Sequence, residues 1–288
     1  MNRFISGINI EDDFSLRKRK DRERNNSLFK SLISEEKGSF YGQYGDAETI
    51  TTNLLKNFHN GGFSEYTDKN GRKCRLECNY GSQVPCKGSS FGNSITVTVN
   101  PSLFYSNYDI ESTVAHEIMH LFQHGLERID GVNEKSMFLF YYILSFANST
   151  TLEFSNNFFY ALYFVFSIER KANVSSISNF LRTYFGSGKP NSGADINAAL
   201  KKCDKYNEYE YFMDYFSGAE PRKDDIDYIH ECLTRPRKNP YSGNFEPIYE
   251  PEMFKCEIFI RNNVKQILYY CEDTIKKARK NAMIYYNA

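Results

Sequence analysis

The sequence predicts an α+β fold, with a small sheet beside helices and a helical region after it. Three observations carry this expectation. Helical patterns fill most of the chain beyond residue 109. An Asn70-Gly71 pair, a strong hairpin-turn signal, separates two short strand-like runs. Ile95, Val97 and Val99 then alternate with Thr96 and Thr98, as in a strand with one buried face.

The elements follow in order. Residues 1–40 read as a charged N-terminal arm, because "RKRKDRER" at 17–24 packs mixed charge without an apolar face. A solvated tail is the plain reading of that arm; docking to a protein partner is the sharper one. Ile50, Leu54, Leu55 and Phe58 recur at helical spacing and predict a helix over 46–60, ended by Gly61-Gly62. The hairpin and the 95–99 strand come next, and Asn100-Pro101 breaks that strand. A helix is expected from about Asp109 to His124, with Gly125 at its C-terminal turn. Two apolar helices are expected near 134–149 and 151–184, then a linker, "GSGKPNSG", at 186–193. Further helices are expected near 194–216, 223–233 and 251–286. The expected organisation is therefore an arm at 1–40, a globular domain at 41–186 and a helical region at 187–288.

Composition narrows the class. The 36 Lys and Arg offset the 36 Asp and Glu, so net charge is zero. That argues against a general nucleic-acid binder and against adhesion to an anionic membrane. With 24 Phe, 22 Tyr and no Trp, the core should carry many hydroxyls that need partners. The seven cysteines include no CxxC pair and read as free thiols of a reducing compartment. The start has no apolar secretory core, and the runs at 137–147 and 158–166 are too short to span a bilayer. A cytoplasmic protein is expected.

The chemistry concentrates in "ESTVAHEIMHLFQH", residues 111–124. His116 and His120 stand one helical turn apart, offset by roughly 40°, so both rings can reach one ion. Glu117 is turned away by roughly 100° and can act on a water instead of ligating. This is the physical content of H-E-x-x-H: two nitrogen ligands for zinc and a carboxylate base. A chance match is on the order of 0.01 per chain of this histidine content. His124 lies about 12 Å along the axis from His116, too far for three rings of one straight helix to share an ion tetrahedrally.

A third ligand must come from elsewhere. Glu169 shares a helical face with Leu162, Val165, Phe166 and Ala172, and a carboxylate buried there must be paired or bind a metal. A buried salt bridge is the competing reading. Glu153 and Glu134 are rivals nearer helix ends.

"HEIMHLFQH" followed by "ERKAN" resembles the ImmA/IrrE-like gluzincin peptidases, which pair H-E-x-x-H-x-x-x-H with a later E-x-x-A-N. The resemblance covers about 41–186. It implies a zincin-like domain holding Zn2+ with His116, His120 and Glu169, and Glu117 as general base. Ala172 and Asn173 match the small residue and the Asn after the family's third ligand. The insert between His120 and Glu169 is long and very aromatic, and the arm and the region after 190 have no matching counterpart in the family.

The function this implies is a zinc-dependent metallopeptidase acting on a protein or peptide, with Glu117 activating a metal-bound water. The 95–99 strand is expected to offer an edge to an extended substrate. His230 or a tyrosine is expected to stabilise the oxyanion, with His59 a lesser candidate. Two alternatives stand beside this reading. One is a non-catalytic structural or interaction protein on a zincin scaffold, of phage or mobile-element origin. The other is a zinc hydrolase acting on a non-peptide amide.

Overall fold

The computed structural model describes residues 49–55, 63–67, 71, 73–78, 88–91, 95–99, 107–124 and 134–287 except 187, 189, 191 and 241. The arm at 1–40 and His59 lie outside these residues. The described chain is α+β and mostly helical, with a four-stranded sheet and a separate two-stranded ribbon.

The chain forms two compact units, both discontinuous in sequence. One takes residues up to 128 from Glu36, then 170–209 and 273–288; the other takes 129–169 and 210–272, with 1–35.

The first of these units holds the sheet. Helix α1 (49–55) buries Ile50 and Leu54. The carbonyl of Leu54 accepts a bond from the buried Ser64 hydroxyl at 2.7 Å, which fixes α1 to the first strand. Strands β1 (Phe63–Thr67) and β2 (Lys73–Cys78) pair antiparallel, Thr67 opposite Lys73. Gly71 holds φ +78° in the connection, as the Asn-Gly signal requires. Along β2, Cys74 and Leu76 are buried while Lys73 and Arg75 are exposed, the period-two pattern of a half-buried strand. Arg75 reaches Glu65 and Glu77 on the wet face, at 3.8 and 2.6 Å.

Strands β3 (Gly88–Phe91) and β4 (Ile95–Val99) complete the sheet in the order β1-β2-β4-β3. β4 runs parallel to β2 and antiparallel to β3. This corrects one expectation: the 95–99 strand is interior, hydrogen-bonded on both sides, and the edge beside it is β3. Helix α2 (Asn107–His124) packs against β3 and β4, and buries Val114, Ala115, Ile118 and Met119.

Helices α3 (Glu134–Asn148) and α4 (Glu153–Val165) pack together and build an aromatic core with Phe138, Phe146, Phe158 and Phe159 fully buried. Two tyrosines around it find partners for their hydroxyls, whereas the buried Tyr249 hydroxyl has none among the described residues. Tyr142 donates to the Lys238 carbonyl at 2.9 Å and Tyr228 to the Phe146 carbonyl at 2.8 Å. The expected single helix over 151–184 is two. Phe166 adopts φ −59°, ψ 140°, an extended conformation, and α5 (Ser167–Phe185) restarts after it.

From Glu169 to Leu181, α5 is buried at every position except Lys171. Its small polar residues are bonded: Ser176 to Ser112 at 3.2 Å, Asn173 to Tyr209 at 2.7 Å, and the Asn281 amide to Ser178 at 3.2 Å. Gly186, at φ +55°, ends α5, and Ser192 caps α6 (Gly193–Leu200) with a capping box closed by Asp195.

Helix α7 (Asp204–Gly218) follows a break at 201–203 that divides the expected 194–216 helix. Then come α8 (Lys223–Thr234), the ribbon β5 (Arg237–Lys238) and β6 (Phe245–Glu246), and α9 (Cys256–Asn287). Asp225 in the first turn of α8 is buried and accepts from the amides of Arg222 and Ser155, at 3.0 and 3.1 Å. It also accepts from the Ser155 hydroxyl at 2.8 Å. One carboxylate therefore satisfies first-turn donors of both α4 and α8. Among the described residues, no helix is long and apolar enough to cross a membrane.

Candidate metal centre

Helix α2 positions two of the predicted ligands. Its stripe at 114, 115, 118 and 119 faces the core, so the turn between 116 and 120 is anchored from one side. His116 is buried, and His120 is partly exposed one turn further on. Their Nε2 atoms stand 3.1 Å apart, with the rings edge to face at 81°. Two nitrogens this close either share a proton or face a common cation. Ligands at about 2.0–2.1 Å from a tetrahedral zinc would be separated by about 3.3 Å, so the observed spacing suits either.

Glu169 adds a carboxylate to the pair. It sits in the first turn of α5, only 4% exposed. One ligand atom from each of His116, His120 and Glu169 can be chosen such that all lie within 4.8 Å of one another. Two imidazoles and one carboxylate thus form a group able to bind a metal ion. The sequence singled out the same glutamate on a partly wrong basis. The supposed common face with Leu162 and Val165 assumed one helix, and the break at Phe166 interrupts it.

Among the described residues, neither Glu153 nor His230 belongs to this group. Glu153 is exposed on the first turn of α4. The side chains of Glu134 and His124 fall outside the described residues, although His124 ends α2 as expected. His230 lies in α8 with its ring 5.7 Å from that of Phe254, and its Nδ1 is 3.4 Å from the Thr234 hydroxyl. That is the setting of an ordinary half-buried helix position. Arg170, next to Glu169, has Nη1 3.7 Å from Asp273.

Glu117 is buried, 7% exposed, on the same turn as His116. Beside it runs the start of β3. A β-carbon built on Gly88 would meet Cγ of Glu117 at 3.0 Å and its Oε1 at 3.2 Å. Gly88 went unnoticed in the sequence, where a glycine before "SSF" has no distinguishing pattern. A second residue that sequence reasoning missed is Tyr163, whose hydroxyl donates to Glu169 Oε1 at 2.8 Å. Six residues apart is no helical neighbour spacing, so no periodicity could have paired them.

Compared with known proteins, the chain matches no family model, no curated protein and no solved structure. What the site can do therefore rests on its own residues. The donor set, two imidazoles and a carboxylate, fits a borderline divalent cation such as zinc and leaves a fourth position for water or substrate.

Proposed function

We propose that this protein is a zinc-dependent peptidase of the gluzincin type, similar to the ImmA/IrrE-like peptidases. The observation that carries the reading is the meeting of His116, His120 and Glu169, with Glu117 buried on the turn that bears His116. His116, His120 and Glu169 would hold the ion. When bound, zinc supplies Lewis acidity, which makes a water acidic near neutral pH and polarises a carbonyl.

The chain's own residues supply the rest. Glu117 accepts a proton at its carboxylate and returns it to the leaving amine. A purely structural metal site has no use for such a base. Burial against Gly88 limits the rotamers of Glu117, so its carboxylate is held for that task. Among the described residues β3 is the edge strand, and it borders Glu117, so an extended peptide pairing with it would run past the base. The reading includes a cytoplasmic setting, in keeping with the buried free thiols of Cys232 and Cys256.

Metal analysis of the purified protein, with peptide cleavage by wild type compared against Glu117→Gln, tests this. One equivalent of zinc in both and turnover only in the wild type is the expected result. Undiminished turnover by Glu117→Gln would remove the proposed base. Zinc without cleavage in either protein would favour a non-catalytic scaffold.

A further inference from the structure

The aromatic helices α3 and α4 separate the histidines from Glu169 in sequence, and they also reach Glu169 in space. Tyr163, two residues before the end of α4, donates its hydroxyl hydrogen to Glu169 Oε1 at 2.8 Å. On an unbroken helix, residues six apart lie roughly 9 Å apart along the axis and about 120° apart around it. The extended backbone at Phe166 interrupts the helix and permits the contact.

The tyrosine ring is itself held. It stacks on Phe140 of α3, centroids 5.6 Å apart and planes at 22°, and Phe140 also meets Phe166 at 5.6 Å. Phe166 is fully buried and Glu169 is 4% exposed. The hydroxyl is therefore aimed by packing, and the carboxylate it meets has little freedom to turn away.

We infer that Tyr163 is a positioning residue for the metal centre, fixing the Glu169 carboxylate in its ligating orientation before an ion arrives. The inference rests on reading His116, His120 and Glu169 as a metal site. Outer partners of this kind set ligand orientation and basicity, and their loss weakens metal binding by about 10–100-fold. The long aromatic insert then has a use: α3 packs the ring whose hydroxyl orients the third ligand.

The experiment measures Zn2+ affinity of the full chain by competition with a chromophoric chelator, and the visible absorption of the Co2+-loaded protein. Tyr163→Phe keeps the stacked ring and removes only the hydroxyl. It should weaken Zn2+ binding about tenfold and shift the Co2+ bands while leaving the far-ultraviolet circular dichroism unchanged. Phe140→Leu, which keeps the hydroxyl and loosens the ring, should weaken Zn2+ binding less. Wild-type affinity and Co2+ bands in Tyr163→Phe, alongside a Glu169→Ala variant that loses the metal, would overturn this inference and leave the metal centre standing. A Glu169→Ala variant that binds Zn2+ as the wild type does would overturn both.

Discussion

The backbone of Gly88 closes against the side chain of Glu117, leaving no room for a β-carbon: one placed there would lie 3.0 Å from Glu117 Cγ and 2.8 Å from Thr113 Cγ2. Gly88 is not one of the glycines with positive φ, so the constraint is space and not conformation. Gly88→Ala should push Glu117 out of place. We expect kcat/KM for peptide cleavage to fall about 10- to 100-fold with Zn2+ content unchanged. Adding Thr113→Ser, which removes the nearer methyl, should restore part of the loss. A double-mutant cycle in steady-state kinetics measures that coupling.

Removing one ligand should remove most of the metal. His120→Ala and Glu169→Ala are each expected to purify with far less than one equivalent of zinc, whereas His124→Ala should retain it. An ion that binds only the folded state adds stability. At 100 times Kd the gain is about 2.7 kcal/mol, so wild type should melt higher with zinc than with chelator. The two ligand variants should show no such difference in a thermal scan.

Asp225 anchors two helix starts, and its loss should cost more than a single cap. Asp225→Ala strands the amides of Ser155 and Arg222 and the Ser155 hydroxyl. The expected destabilisation is roughly 2–4 kcal/mol, read from urea unfolding. Ser155→Ala, which keeps the amide contact, should cost about 1 kcal/mol.

Alkaline pH should weaken the fold through Cys256. Its thiol donates to the Ile226 carbonyl at 3.3 Å, and burial pushes it up from 9.0 to about 12, with Glu257 adding to the shift. The folded state thus keeps a proton that the unfolded chain releases above pH 9. Stability is unaffected below pH 9 and falls as pH rises towards 12. Buried Tyr249, with its hydroxyl raised by the same desolvation, acts in the same direction. Melting temperature against pH should fall less steeply between 9 and 11 in Cys256→Ala. At pH 8, a thiol reagent should label Cys256 only on unfolding.

How far the sequence went depends on whether the signal was local. The Asn70-Gly71 turn signal, the strand at 95–99 and the spacing of His116 and His120 are set within a few residues, and the structure has the β1–β2 pairing, a strand at Ile95–Val99 and the two Nε2 atoms 3.1 Å apart. The break at Phe166 had no proline or glycine to mark it: "FVFSIE" reads as continuous apolar helix. Strand β3, "GSSF", lacks the branched and aromatic alternation that marks a strand, so β4 was taken for an edge. Pairing β2 with β4 in parallel is a long-range choice that no dipeptide encodes. Glu169 was legible because a carboxylate among apolar neighbours is costly wherever the helix begins. Tyr163 and Gly88 were not, because each acts through a contact that the break at Phe166 or the approach of β3 creates.

The order of the ligands along the chain also has a consequence during synthesis. His116 and His120 are made 49 residues ahead of Glu169, as the numbering 169 minus 120 gives. At about 5–20 residues per second, a nascent chain carries the histidine pair alone for roughly 2 to 10 s. An ion that arrives in that interval meets two imidazoles without Glu169. On the proposed metal-binding reading, tight capture waits until the aromatic helices have emerged and the chain has turned at Phe166, so loading of the centre would report that both have been made.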